Sequence, residues 1–457
     1  MSEKIIGLKI KSLFDRFNYE INLKDNKLVI ITAPNGYGKS TILNIIRAFS
    51  SNDFFYLLNE KFVELIFEFD NHSPVSIKKI ESKTSSDFFD DEVININESK
   101  IVISSKNKRS QIIDHRLVDR LCERAEGYMP ISRMNANKWI DERNGVIYDK
   151  ASLVSNFISN SIFRDQLKIE NWLLDLSSSL TVQFIPTNRL SQQVSISPRR
   201  VRAELSNNLM VEIIAREIKT EIDKEIKNQY NEGRKRETNF PKRLMEALNS
   251  TREVSIDEIQ SLITKIQYYE SNYLRLGIVP DIGLTEQLGL STSSTDSELA
   301  AGRVVLKTYL SDVIEKFKIL DELANKLDLF TKSINKLMAF KKIFINAEKG
   351  FDVKTFEGDF IEDSINYSKV VPLNSLSSGE QHLIVLIGKL IFSNIKDGLI
   401  LIDEPEISLH PAWQEKFLEI LMSIQELTKF DLLIATHSPQ LIGDRWDDVI
   451  ELAEQVS

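Results

Sequence analysis

The stretch Ala33-Pro34-Asn35-Gly36-Tyr37-Gly38-Lys39-Ser40-Thr41 constrains this chain more than any other. The apolar run Leu28-Val29-Ile30-Ile31 precedes it and reads as a buried strand. Ile42, Ile45, Ile46 and Phe49 follow at the spacing of one helix face. A strand, a glycine-bearing turn and a helix start, in that order, turn backbone N–H groups and the positive end of a helix dipole toward an anion. Lys39 is then placed to reach the β- and γ-phosphates of a nucleotide, and the Ser40 hydroxyl to ligate Mg²⁺. The pattern G-x-x-x-x-G-K-[ST] is met except at its first position, where Ala33 replaces Gly. Asn35, Gly36, Tyr37, Gly38, Lys39, Ser40 and Thr41 are therefore the candidate ATP-binding residues.

A second set of motifs lies near the other end. Leu376-Ser377-Ser378-Gly379-Glu380-Gln381 opens a predicted helix whose apolar face is Leu383, Leu386, Ile387, Leu390 and Ile391. The buried strand Leu399-Ile400-Leu401-Ile402 ends in Asp403-Glu404 and runs on through Pro405-Glu406-Ile407-Ser408-Leu409-His410-Pro411. A further strand, Leu432-Leu433-Ile434-Ala435-Thr436, ends at His437. A carboxylate at the end of a buried strand can hold Mg²⁺ or its ligating water. Glu404 beside it is placed to orient and deprotonate an attacking water.

This order of motifs resembles the ABC-type ATPases, in their SMC-like and OLD-like branch rather than the transporter branch, over about residues 1–105 and 340–450. The resemblance implies an α/β fold: an ATPase head of mixed sheet and helices with an antiparallel β-subdomain, and an inserted helical or short coiled-coil arm. It implies ATP and Mg²⁺ as cofactors, with Ser40 and Asp403 as metal ligands. Glu404 is the implied catalytic base and His437 the switch histidine at the γ-phosphate. Glu406, Ser408 and Leu409 match the loop that crosses between two heads. Ser377, Ser378 and Gly379 match the signature, with Ser378 where transporters have Gly and Glu380 inserted before Gln381. In that family the signature reaches the γ-phosphate held by the opposite protomer. One phosphate loop and one signature per chain thus imply a head-to-tail pair, within a larger homo-oligomer such as a hexamer.

The expected division is an N-terminal lobe at 1–198, an arm at 199–340 and a C-terminal lobe at 341–457. Ile5 to Ile10, Tyr19 to Leu23, Val63 to Phe69 and Val75 to Ile80 read as strands, the last two as a hairpin. Thr84 to Asp91 reads as a polar loop, and residues 111–180 as mixed and mostly helical. Val182 to Arg189 reads as a strand leaving the core. Gln183, Gln192 and Gln193 are open candidates for the family's γ-phosphate-sensing glutamine, and Arg16 is either near ATP or a solvated loop residue. In the arm, Val211, Ile214, Ile218, Ile222 and Ile226 form a helical stripe. Leu306, Leu310, Val313, Phe317, Leu320, Ala324, Leu327, Thr331, Ile334 and Met338 alternate spacings of four and three, a heptad seam. One helix carrying it would extend on the order of 50 Å. The seam reads either as a lever or docking surface or as a cap packed on the head. A polar linker is expected from Leu290 to Ser297, and two strands at Ile343 to Asn346 and Phe351 to Phe356.

Composition narrows the uses of such an engine. The net charge of −9, from 58 basic and 67 acidic residues, argues against tight non-specific nucleic-acid binding. The basic clusters Arg199-Arg200-Arg202 and Arg234-Lys235-Arg236 leave direct contact open without favouring it. A single cysteine, Cys122, excludes an internal disulfide and suits a reducing cytoplasm. No apolar run reaches membrane-spanning length. The sequence ends shortly after His437, so a nuclease effector is expected on a separate polypeptide. The whole is most similar to the ATPase subunits of two-component anti-phage systems, PARIS-type first and Septu-type second. A PARIS-like subunit implies an oligomer that holds a Toprim-type nuclease until a phage-encoded trigger protein, often a DNA mimic, releases it. A Septu-like subunit implies an HNH nuclease. A RecF-like or SMC-like repair ATPase and a scaffold with an inert site are the other readings.

Overall fold

Strand-forming runs alternate inward and outward residues from the start of the chain. The computed structural model describes residues 3–24, 26–82, 98–135, 137–143, 145, 147–150, 152–154, 169–187, 210–249, 254–278, 300–356, 367–393, 395, 397–407 and 409–456. Two compact units emerge, Met1–Asn207 with Asn394–Ser457, and Asn208–Ser393. The first unit opens with β1 (Ile5–Leu13), β2 (Phe17–Asn22) and β3 (Leu28–Thr32), then α1 (Lys39–Ser50) and α2 (Phe54–Asn59). Next come β4 (Glu64–Phe69), β5 (Val75–Ser82), β6 (Glu98–Ser105) and β7 (Gln111–Asp114). Six of these strands form an antiparallel sheet in the order β2-β1-β4-β5-β6-β7. Leu8, Ile10, Leu65, Phe67, Ile77 and Ile103 face its buried side, as their period of two requires.

The segment expected to be mostly helical is only partly so. It holds α3 (His115–Tyr128), a meander of β8 (Ile131–Asn135), β9 (Lys138–Asp141) and β10 (Ile147–Asp149), and α4 (Asn171–Ser179). Strands of three to five residues are too short for alternation to stand out from a mixed pattern. β11 (Val182–Ile185) follows.

The second unit contains α5 (Met210–Leu248), α6 (Ile256–Arg275), α7 (Ala300–Lys318) and α8 (Asp321–Leu337). A sheet of β12 (Lys341–Asn346), β13 (Gly350–Phe356) and β14 (Tyr367–Val371) precedes α9 (Ser378–Phe392). Val211, Ile214, Ile218 and Ile222 bury the predicted stripe of α5. Gly350 lets β13 lie against α5: its φ is +89°, and a Cβ there would stand 2.0 Å from the Ala215 carbonyl oxygen.

The heptad seam is present but does not lie on one helix. The helix breaks at Ile319–Leu320, so a single 50 Å rod is not formed. The buried hydroxyl of Tyr273 donates to the Phe317 carbonyl at 2.9 Å and reaches Asp321 Oδ1 at 2.7 Å. That carbonyl also accepts from the N–H of Leu320 at 2.9 Å, a tight turn in place of a continuing helical ladder. Burial, then the Asp321 carboxylate, pushes the Tyr273 pKa upward. From Leu310 to Met338 every seam residue is buried, so the seam is not an open docking stripe. Arg236 likewise faces inward, toward Asp312 at 3.7 Å and Glu315 at 3.5 Å. Thr84 to Asp91, Arg199-Arg200-Arg202 and Leu290 to Ser297 lie outside the described residues.

The chain then completes the first unit with β15 (Leu399–Asp403), α10 (Pro411–Thr428), β16 (Asp431–Thr436), α11 (Pro439–Ile442) and β17 (Val449–Glu451). These strands and two earlier ones form a parallel sheet, β11-β15-β16-β3-β17. The fold is thus mixed α/β with a helical insertion, and among the described residues no helix is long and apolar enough to cross a membrane. The helix break yields a test: Tyr273→Phe removes a buried donor from a carbonyl and a carboxylate. It should cost about 1–3 kcal/mol, read as a lower urea midpoint at unchanged slope. An unchanged midpoint would show that the break does not depend on this hydroxyl.

Candidate active site

Parallel pairing brings the carboxyl ends of five strands to one edge, the place where α/β sheets present their loops to ligands. The ends are level: Ile185 pairs with Ile402, Asp403 with Ala435, and Ala435 with Ile31. The loops after β3, β15 and β16 therefore meet.

The loop after β3 turns through Gly36 and Gly38, with φ of +90° and +86°. At Gly38 a Cβ would approach Leu13 Cδ2 to 2.9 Å and the Phe14 ring to 3.1 Å, so glycine is required both for conformation and for space. Tyr37 is anchored from outside the loop: its carbonyl accepts from the Tyr19 hydroxyl at 2.8 Å, and its ring stacks on Phe17 at 5.3 Å. Helix α1 begins at Lys39, directly after this turn, and buries Ile42, Ile45, Ile46 and Phe49 as the spacing predicts. Asn35 and Gly36 are exposed, while Ser40 and Thr41 are half-buried.

Lys39 is folded back over the loop and only 5% exposed. Its ammonium donates to the Ala33 carbonyl at 2.9 Å and meets the His437 ring at Nε2. Burial holds its pKa below the ordinary lysine value, and the nearby carboxylates of Glu404, Asp403, Glu406 and Glu451 oppose that shift.

Asp403 ends β15 and is 7% exposed. Ser40 Oγ donates to its Oδ1 at 2.9 Å, and Thr187 Oγ1 donates to its Oδ2 at 3.0 Å. Ser40 Oγ and Asp403 Oδ1 are hard oxygen donors of the kind Mg²⁺ takes together with phosphate oxygens, so these residues fit that ion. Glu404 has a φ of +43°. Its N–H donates to the Ala435 carbonyl at 2.8 Å, and its Oε1 lies 3.5 Å from His437 Nε2. A non-glycine residue at positive φ costs on the order of 1–3 kcal/mol and persists only where its surroundings hold it.

Two further side chains fix the loop after β16. Glu406 Oε1 accepts from the His437 N–H at 2.7 Å, and its buried Oε2 has no hydrogen-bond partner. Gln414 accepts from the Ser438 hydroxyl at 2.6 Å and donates to the Leu409 carbonyl at 3.1 Å, tying the loops after β15 and β16 together.

Asn35 to Thr41, Asp403, Glu404 and His437 are thus brought to one edge of the first unit. Ser377, Ser378 and Gly379 belong to the second unit, at the start of α9. There Ser377 and Glu380 form a capping box, and Glu380 is bound by Lys341 at 2.9 Å. Ser377 and Ser378 are exposed. Burial alone would raise the Glu380 pKa, but the Lys341 ammonium and the Ser377 N–H outweigh it and hold the carboxyl below its ordinary value. Gln183 pairs with Ile400, three residues before Asp403, which sets it back from the site. Its Oε1 is buried without a partner. Gln192, Gln193 and Ser408 lie outside the described residues, and Arg16 is exposed. Sequence reading missed Thr187 and Gln414. The one signal for Thr187 was a hydroxyl just past an apolar run, and nothing in the sequence named β15 as that run's neighbour.

The profile of the family described as "AAA domain, putative AbiEii toxin, Type IV TA system" matches residues 30–443. A search of curated proteins gives no match. Among solved structures, the Smc head domain with an extended coiled coil bound to the C-terminal domain of ScpA, from Pyrococcus furiosus, is 13% identical. The alignment covers 99% of this chain and 95% of that one, with a TM-score of 0.32. The SMC head domain from Thermotoga maritima is 12% identical over 96% of this chain and 91% of that one, with a TM-score of 0.30. Scores this low carry no argument, and the family profile stands by itself. Because it spans most of the sequence, the chain belongs to this family of AAA-domain ATPases.

Proposed function

We propose that the chain binds Mg·ATP at this edge and hydrolyses it, and that it is the ATPase subunit of a two-component anti-phage system. The observation that carries the ATPase reading is the meeting of Lys39, Ser40, Asp403, Glu404 and His437 at the ends of adjacent parallel strands. On ATP binding, the Lys39 ammonium exchanges the Ala33 carbonyl and the His437 ring for the β- and γ-phosphate oxygens. The N-terminus of α1 and the N–H groups of the loop receive the same phosphates. Ser40 and Asp403 would hold Mg²⁺, which would supply neutralising charge to the phosphates when bound. Glu404 orients and deprotonates the attacking water, and His437, freed from Lys39, contacts the γ-phosphate. Glu406 holds the His437 backbone while its ring moves. Ser377, Ser378 and Gly379 act on the γ-phosphate of a second copy, head to tail, within a homo-oligomer. The head comprises the lobes at 1–198 and 341–457, with the arm at 199–340 between them.

The anti-phage reading is supported by the family's description, which names a putative toxin of a toxin–antitoxin system. In it the ATP-loaded oligomer restrains a separate nuclease, Toprim-type by preference, until a phage-encoded protein triggers release.

Lys39→Ala should abolish measurable ATP binding, a loss of about 30-fold or more for a charge-assisted contact, without unfolding the protein. ATP affinity like that of the wild type would remove the site assignment. Glu404→Gln should leave binding intact and slow turnover by about 10²–10⁴-fold, while head-to-tail pairs accumulate in ATP by light scattering. Ser377→Arg should still bind nucleotide but fail to pair; wild-type hydrolysis by that variant would contradict the composite site. The purified chain should cleave no nucleic acid until a second protein is added, and robust metal-dependent cleavage by the chain alone would exclude the two-component role.

A further inference from the structure

We propose that Thr187 is a positioning residue of this site, one that holds the Asp403 carboxylate in the orientation its metal-facing oxygen needs. The proposal rests on the reading of the site as a Mg·nucleotide centre and adds a residue to it. Asp403 is almost wholly buried, and each of its two oxygens accepts from a hydroxyl: Oδ1 from Ser40 and Oδ2 from Thr187. The two donors come from parts of the chain far apart in sequence. Ser40 starts α1, whereas Thr187 stands two residues beyond the end of β11.

Strand register explains how Thr187 arrives. β11 pairs in parallel with β15, with Ile185 opposite Ile402, so the residues just past each strand end lie side by side. Pro186 intervenes; it has no N–H to give to the ladder and fixes its own φ, which stops the strand and sets the direction of the next residue. The Thr187 hydroxyl then lies 3.0 Å from Oδ2.

The arrangement divides the carboxylate's work. The torsion that turns an aspartate's carboxyl plane is soft and roughly two-fold, so a carboxylate with one oxygen on a metal can still swing. With Mg²⁺ bound, Ser40 Oγ and Asp403 Oδ1, now hydrogen-bonded to each other, would be the pair of oxygens that holds it. A threonine donor on Oδ2 resists rotation of the plane and keeps Oδ1 aimed. A hydrogen bond to a charged group is worth roughly a factor of ten or more. That is enough to tune metal affinity without touching the nucleotide itself, because Thr187 acts through Asp403 rather than on a phosphate.

The test measures ADP binding calorimetrically on the full chain, once with a chelator and once with Mg²⁺. It compares wild type, Thr187→Val and Thr187→Ser. The expected result is equal affinity in chelator within about twofold, and a Mg²⁺-dependent gain that falls roughly tenfold in Thr187→Val and returns in Thr187→Ser. In turnover, the Mg²⁺ concentration at half-maximal rate should rise in Thr187→Val while KM for ATP at saturating Mg²⁺ stays unchanged. An unchanged Mg²⁺ gain in Thr187→Val overturns the proposal. Equal loss with and without metal also overturns it, because the hydroxyl is then only structural, as does failure of serine to restore the gain. Thr187→Ala makes the same comparison if the added methyl of valine prevents folding. A wild-type chain whose ADP affinity ignores Mg²⁺ would instead overturn the site reading on which the proposal rests.

Discussion

A buried ammonium beside several carboxylates is the constraint around which the first unit is arranged. Lys39 is almost fully enclosed, and an isolated charge in that position would be expelled or neutralised. The strand ends supply what it lacks: the Ala33 carbonyl, the His437 ring, and the field of Asp403, Glu404, Glu406 and Glu451. The groups come from the ends of four parallel strands, β3, β15, β16 and β17, or from the loops after them, so the register of these strands is a condition for the charge balance. A one-residue slip would turn the strand-end side chains to the other face of the sheet.

The same constraint explains the local strain. Glu404 sits at positive φ, held by its N–H to the Ala435 carbonyl on the neighbouring strand. Glu406 then reaches back to the His437 N–H, and Gln414 joins Ser438 to Leu409. These bonds keep the loops after β15 and β16 in a fixed relation. An edge already rich in carboxylates, with one lysine drawn among them, suits a ligand that brings phosphates and a divalent cation together.

Much of this edge was legible in the sequence because its signals are local. The glycine-bearing loop after β3 declares itself by a strand run, two glycines, a lysine and a helix stripe within a short span, and Asp403-Glu404 by four apolar residues before it. What was not legible depends on partners distant in the chain. Thr187 meets Asp403 only because β11 is the parallel neighbour of β15, and Gln183 loses its claim by the same register. The heptad seam misled for a related reason. Apolar spacing continues across Ile319–Leu320 because both helices bury the same stripe, while the groups bonded at the break, the Phe317 carbonyl and Asp321, meet Tyr273, a residue on another helix. The short strands β8, β9 and β10 were missed because three to five residues cannot show a period.

The central claim is that Lys39 leaves the Ala33 carbonyl and the His437 ring to bind phosphate when a nucleotide enters. A crystal structure of the full chain with Mg²⁺ and a non-hydrolysable ATP analogue tests it most directly. The account predicts the triphosphate along the loop from Asn35 to Thr41, the metal between Ser40 and Asp403, and the Lys39 Nζ moved from Ala33 onto the β- and γ-phosphates. An analogue bound elsewhere, or a Lys39 still on Ala33 and His437 beneath a bound triphosphate, would contradict it.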